Sequence, residues 1–254
     1  MKVYFSIIFY LISVIGSNAQ SELFKAIPVP TDQFYVDNEE NIYFTHGAYF
    51  YKSSPPYLLK KEYLFNKNKD SYFIDISNPD NILIFFHDYQ KLIILDSMLN
   101  EPFRPFYLDE LGMSDILFIN SNKKKEYWFY NLLNNSIYKL DVGFLPVVKD
   151  KNLDIFFNRP KAPTFMHTCN EKLFINVPSA GMFIFDDKGK FVTLVPAIGL
   201  IDFQVINNEI VYYQDGLIHF YDYITHSSRQ KTLPKIEGII NAQISGNKLF
   251  LHCT

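Results

Sequence analysis

The residues able to do acid–base, nucleophilic or metal chemistry are scattered along this 254-residue chain. Its six histidines are His46, His87, His167, His219, His226 and His252, and no two of them stand in an HxH or HExxH pattern. Cys169 and Cys253 do not form a CxxC. A GxSxG elbow, a Walker A loop and a GxGxxG turn are all absent. No motif therefore assigns a nucleophile, a metal set or a nucleotide cradle, and the sequence implies no cofactor and no catalytic residues. His87-Asp88 and Lys123-Lys124-Lys125 fall in polar turns between apolar segments, where a solvated side chain is the ordinary outcome.

One arrangement stands apart. Aligning recurrent apolar segments on Val36, Ile76, Ile119, Thr168, Val205 and Ile244 places Tyr35, Asp75, Phe118, His167, Gln204 and Gln243 in the preceding column. Asp75, His167, Gln204 and Gln243 are polar residues in otherwise apolar strands. Such a column either lines a wet, hydrogen-bonded channel or binds a small ligand or ion.

These segments belong to a weak repeat. An apolar strand, a polar turn and a second apolar or aromatic strand recur, and the second strands start at 41, 81, 126, 172, 209 and 248. Their spacing is about 41 residues. The turns before them, such as Asn78-Pro79-Asp80 and Gly246-Asn247, carry the residues that tight hairpins need. A third strand follows in most units, and four of these end in Asp: Asp96, Asp141, Asp186 and Asp222. A weaker fourth strand comes next, as in Tyr57 to Phe65, Phe103 to Leu108 and Phe191 to Val195. Short strands at this period are the mark of a β-propeller with one four-stranded blade per repeat, whose first strands line the axial channel. Composition agrees: aromatics make up 17% of the chain, with 25 Phe and 18 Tyr, which favours strands.

The expected architecture is all-β, a propeller of six blades. The last blade is incomplete and is closed by the N-terminal strand Leu23 to Val29. Five blades with a closing segment, and a plain β-sandwich, are the alternatives. Within six blades in sequence order, Cys169 and Cys253 are separated by a whole unit, too far for a disulfide, and are expected to stay unpaired.

The net charge is −3, with hydrophobic residues at 48% and charged residues at 20%, which argues against a disordered chain and against a nucleic-acid partner. Met1-Lys2, an apolar run from Val3 to Gly16 and the small residues Ser17-Asn18-Ala19 read as a secretory signal peptide over 1–19. The run is shorter than the roughly 20 residues a spanning helix needs. The mature chain is then a single propeller domain over 20–254 with no transmembrane span, periplasmic or secreted.

Several stretches resemble a family of small exported β-propeller proteins of Bacteroidota. They are Phe34-Tyr35-Val36-Asp37-Asn38 with Asn41-Ile42-Tyr43, Asp75-Ile76-Ser77-Asn78-Pro79, Tyr107-Leu108-Asp109-Glu110-Leu111-Gly112, Gly181-Met182-Phe183-Ile184-Phe185-Asp186 and Asp202-Phe203-Gln204-Val205. The likeness spreads over about residues 22 to 252, consists of scaffold residues and carries no catalytic motif. It implies a non-enzymatic scaffold that binds protein partners in the cell envelope, with a subunit of the type IX secretion translocon as partner. The alternative reading is a small-ligand-binding or enzymatic propeller with its site in the central channel.

The leader gives the first testable outcome. Removing Met1 to Ala19 leaves the protein in the cytoplasm, and N-terminal sequencing of the exported form starts at Gln20. A periplasmic form that still contains Phe5 contradicts the cleavage.

Overall fold

A computed structural model describes residues 6–11, 22–28, 30–57, 60–65, 70–157, 162–200, 202–233 and 235–253. The chain falls into two compact units, one of Met1–Lys69 with Phe203–Thr254 and one of Asp70–Asp202. The expected cleavage point, Ala19-Gln20, lies outside the described residues.

In the first unit, β1 (Ser6–Leu11) and β2 (Glu22–Pro28) come first. A four-stranded antiparallel meander follows: β3 (Gln33–Val36), β4 (Ile42–His46), β5 (Tyr49–Ser53) and β6 (Lys60–Leu64). The second unit holds three such meanders. One is β7 (Phe73–Asp75), β8 (Ile82–Phe86), β9 (Lys91–Leu95) and β10 (Phe106–Tyr107). The next is β11 (Ile116–Ser121), β12 (Tyr127–Asn131), β13 (Ser136–Leu140) and β14 (Pro146–Asn152). The third is β15 (Phe165–Cys169), β16 (Lys172–Val177), β17 (Gly181–Asp186) and β18 (Phe191–Val195). The first unit then resumes with β19 (Gln204–Ile206), β20 (Glu209–Gln214), β21 (Leu217–Asp222) and β22 (Ser228–Thr232). It ends on β23 (Ile239–Ser245) and β24 (Lys248–Cys253).

Five blades of four consecutive strands are therefore present among the described residues, not the expected six. β23 and β24 have no third and fourth strand of their own. Their sheet, in the order β2-β1-β24-β23, is completed from the other end of the chain. β2 takes the outer place expected for Leu23 to Val29. The strand beside β24 is β1, paired from Ser6 with Cys253 to Leu11 with Lys248, and it lies inside the segment expected to be a leader.

Burial follows position in the blade. Every residue of β8 and β12 is buried, because these second strands are covered on both faces. The fourth strands β6 and β18 alternate, as strands with one wet face do. In the second unit, Phe118, Trp128, Tyr130, Leu173, Ile175, Phe183 and Phe185 share one cluster. Leu83, Phe85, Leu92, Ile94, Ile119, Phe129 and Leu140 share another. In the first unit, Phe34, Val36, Ile42, Phe44 and Phe250 pack together.

The repeated Asp at the end of the third strand is a turn device. One Asp96 carboxylate oxygen accepts the N–H groups of Met98 and Asn100, both at 2.8 Å. Asp141 does the same for Gly143 and Leu145, Asp186 for Lys188 and Lys190, and Asp222 for Ile224 and Thr225. Each carboxylate takes up amides that the tight turn would leave bare. Asp37 and Asn122 play the same part between first and second strands.

His87 lies in a short helical turn after β8 and pairs with Asp88 at 2.9 Å, half exposed, and Lys124 meets Glu171 at 2.8 Å on the surface. Both fit solvated turns. Neither Cys169 nor Cys253 is in a disulfide, and burial raises the pKa of each thiol. No helix among the described residues is long and apolar enough to cross a membrane.

Among the described residues of the second unit, Lys139 on β13 is the one lysine buried to 1%. Its Nζ donates to Glu126 at 3.1 Å and to Asp187, on the next blade, at 2.6 Å. It also lies 5.3 Å from the Trp128 ring centroid. Lys139→Ala removes the buried counter-charge that the two carboxylates share and leaves them only the exposed Lys124 nearby. Urea unfolding should show a loss of about 2–3 kcal/mol, and a change below about 0.5 kcal/mol would contradict this role.

Candidate functional site

The first strand of each blade has one edge bonded to the second strand and one edge free. In an antiparallel pair, alternate residues point their N–H groups away from the partner strand. Val36 and Ser121 stand in such places, because the following residues, Asp37 and Asn122, make the turn bonds to Asn41 and Glu126. A buried, free-edge amide needs an acceptor from elsewhere.

The polar column supplies it. In the first unit, Gln204 Oε1 accepts the Ile244 N–H at 2.7 Å while its Nε2 donates to the Ile244 carbonyl at 3.1 Å. Gln243 Oε1 accepts the Val36 N–H at 2.7 Å, and its Nε2 donates to the Phe34 carbonyl at 3.3 Å. In the second unit, Asp75 Oδ2 accepts the Ser121 N–H at 2.7 Å. In each case the polar residue of one first strand clasps the backbone of the next. The four sequence-predicted residues thus fall into two groups, Gln204 with Gln243 in one unit and Asp75 with His167 in the other.

Strand register corrects one member of the column. Tyr35, Asp75, His167, Gln204 and Gln243 stand opposite Tyr43, Leu83, Phe174, Val211 and Phe250. The residue at that level of β11 is Asn120, opposite Trp128; Phe118 stands two residues earlier, opposite Tyr130. The alignment on Ile119 misses this although the turn from Asn122 to Glu126 has the same length as that from Asp37 to Asn41, which puts Ser121 and not Ile119 level with Val36. Alignment from the second strands backward, with equal turn lengths, would have found Asn120. Five of the six column residues are then polar apart from their aromatic member, Tyr35, whose hydroxyl donates to Gln33 at 2.8 Å.

Around Asp75 the bonds are dense. Its Oδ1 accepts the Ser77 N–H at 3.0 Å and the Ser77 hydroxyl. That hydroxyl has one proton, so its oxygen accepts from His167 Nδ1–H at 3.1 Å. This chain fixes the imidazole tautomer with the proton on Nδ1. Burial lowers the His167 pKa, opposed by the Asp75 charge, so the neutral ring is favoured. The carboxylate is bonded to the hydroxyl and not to the imidazole, which differs from the relay that activates a serine nucleophile. Thr168, next to His167, donates its hydroxyl to the Ser121 carbonyl at 2.5 Å. Asn120 is 1% exposed, and neither its Oδ1 nor its Nδ2 has a hydrogen-bond partner. Among the described residues, no group of three or more His, Cys, Asp or Glu could hold a metal ion.

A second feature of the same unit is apolar. The fourth strand expected over Phe103 to Leu108 is only Phe106–Tyr107, because Pro102 and Pro105 remove amide donors from the stretch before it. A groove of about 410 Å³ lies against β13 and β14, lined by Leu111, Met113, Tyr138, Phe144, Pro146 and Val148, with Lys149 and Asp150 also in its wall. Phe103, Val142 and Leu145 are exposed, Leu145 to 65%. The sequence offered no sign of this groove.

A scan against protein-family models finds no match, and a search of curated proteins finds none either. Solved structures do match in fold. A streptogramin B lyase has 13% identity and a TM-score of 0.57 over 91% of this chain and 74% of that one. A chain of a nidogen/laminin complex has 8% identity and a TM-score of 0.59, over 90% and 94%. The Pan2 WD40 domain of Neurospora crassa has 13% identity and a TM-score of 0.53, over 92% and 82%. The likeness is one of fold alone, and the fold is an all-β propeller.

The clasp is open to test. Gln243→Ala strips the Val36 amide of its acceptor and should cost about 1–3 kcal/mol in denaturant unfolding. An unchanged midpoint would mean that water replaces the carboxamide at no cost.

Proposed function

We propose that this chain is a non-enzymatic propeller that binds another protein of the cell envelope through the groove in its second unit. The observation that carries this reading is the groove itself: an apolar floor from Leu111 to Val148, exposed Val142 and Leu145 beside it, and charges of both signs, Lys149 and Asp150, in its wall. An apolar centre with a polar margin is the anatomy of a protein interface. The export signal expected from the sequence and the family resemblance favour an envelope partner, and in its finer form the reading makes that partner a subunit of the type IX secretion translocon. A non-catalytic role is favoured by the absence of nucleophile and metal motifs and by the Asp75–Ser77–His167 bonding order.

The test is site-specific photo-crosslinking in the native host from position 145, with position 224, also exposed on the other unit, as control. The expected result is one dominant adduct with an envelope protein from position 145, lost in a Leu111→Glu variant of unchanged melting temperature. An adduct that survives Leu111→Glu, or one formed only from position 224, overturns the groove as the docking surface. An adduct with a second copy of this chain replaces the envelope partner with self-association.

A further inference from the structure

We propose that the first strands of the second unit form a second binding site, distinct from the groove, for a small neutral ligand with adjacent hydroxyl groups, of the monosaccharide class. Two tiers of side chains build it. Residues two apart on a strand share a face. Asp75, Asn120 and His167 form one tier, and Phe73, Phe118 and Phe165, each two residues earlier, form the next.

The aromatic tier is closed. Phe73 meets Phe118 with ring centroids 5.1 Å apart and Phe165 at 5.9 Å, both edge to face. Phe165 in turn stacks along His167 at 6.4 Å. The three strands β7, β11 and β15 thus converge, and the Ser77–His167 bond spans the same distance one tier away. Phe73, Phe165, Ser77 and His167 are only half-buried, which leaves an approach from that side.

The polar tier has one unmet demand. Asp75 is satisfied by three donors, and Ser77 by its bonds to Asp75 and His167. Asn120 has an orphaned acceptor and an orphaned donor in the same carboxamide, both buried. Leaving such groups bare is costly. A cation would satisfy the oxygen only and an anion the nitrogen only. A pair of neighbouring hydroxyls meets both, since each hydroxyl gives and accepts. Asp75 Oδ2 accepts one bond, from the Ser121 N–H, and a carboxylate oxygen can accept a second. The half-buried Phe73 and Phe165 offer the apolar surface on which the C–H face of a sugar ring rests. A neutral His167 adds no charge that a neutral ligand would have to offset.

Saturation-transfer NMR on the mature protein, with D-glucose, D-galactose and N-acetylglucosamine as probes, tests this. At least one sugar should receive saturation and shift the His167 imidazole signals. Asn120→Leu, which removes the orphaned groups and keeps the side chain's bulk, should weaken that sugar at least tenfold while the melting temperature holds or rises. His167→Phe, which removes the ring bond to Ser77, provides a second variant with the same expected weakening. No transfer from any of the three sugars overturns the proposal, as does transfer that is unchanged in Asn120→Leu. In either case Asn120 is bonded to ordered water only. Because position 145 lies beside the groove and not among these first strands, loss of its crosslinking leaves this result untouched.

Discussion

The amides on the free edges of the first strands are the constraint on which the structure depends. A blade binds three of its strands into a ladder through both edges or through one edge and solvent. Its first strand has neither remedy, because its free edge is buried against the next blade. Gln204, Gln243 and Asp75 answer this with a side-chain acceptor aimed at the adjacent backbone. Polar residues thus occur in strands whose other positions are apolar, and their first role is to join one blade to the next.

The same requirement explains where function can reside. A side chain committed to a backbone clasp is not available to a ligand, and Gln204 and Gln243 are committed at both ends of their carboxamides. Asn120 stands at the equivalent level and clasps nothing. At that junction the Thr168 hydroxyl holds the Ser121 carbonyl instead, so the blades are joined while the carboxamide is left over. At the outer side of the blades the logic is reversed. Fourth strands have one wet face and tolerate interruption, and Pro102 and Pro105 shorten β10 without exposing a central strand.

Much of the fold was legible in the sequence because blades are local. Second strands such as Ile82–Phe86 and Tyr127–Asn131 are apolar throughout, their turns carry Asn, Asp or Gly, and their spacing follows from the size of one blade. The repeated Asp after the third strand was visible as a pattern, and its role as an amide acceptor follows from turn geometry. The column of first-strand polar residues was also visible. Its third member was misplaced at Phe118 because the apolar run Ile116, Leu117, Phe118 and Ile119 leaves the β11 register ambiguous until the pairing of Asn120 with Trp128 is known. The blade number was overcounted because β23 and β24 carry the signature of a blade's beginning, and a period says nothing about what completes it.

The sequence by itself determined the all-β class, the four-stranded unit and the type of residue at each turn, since these depend on interactions among residues close along the chain. Only the tertiary structure decided which polar residues bond to the backbone of a neighbouring blade, which one is left with an empty carboxamide, and where β1 and β2 pair. Those contacts join residues such as Val36 and Gln243, or Ser77 and His167, that lie far apart in the chain. They depend on strand register, and a shift of one residue turns every side chain to the opposite face.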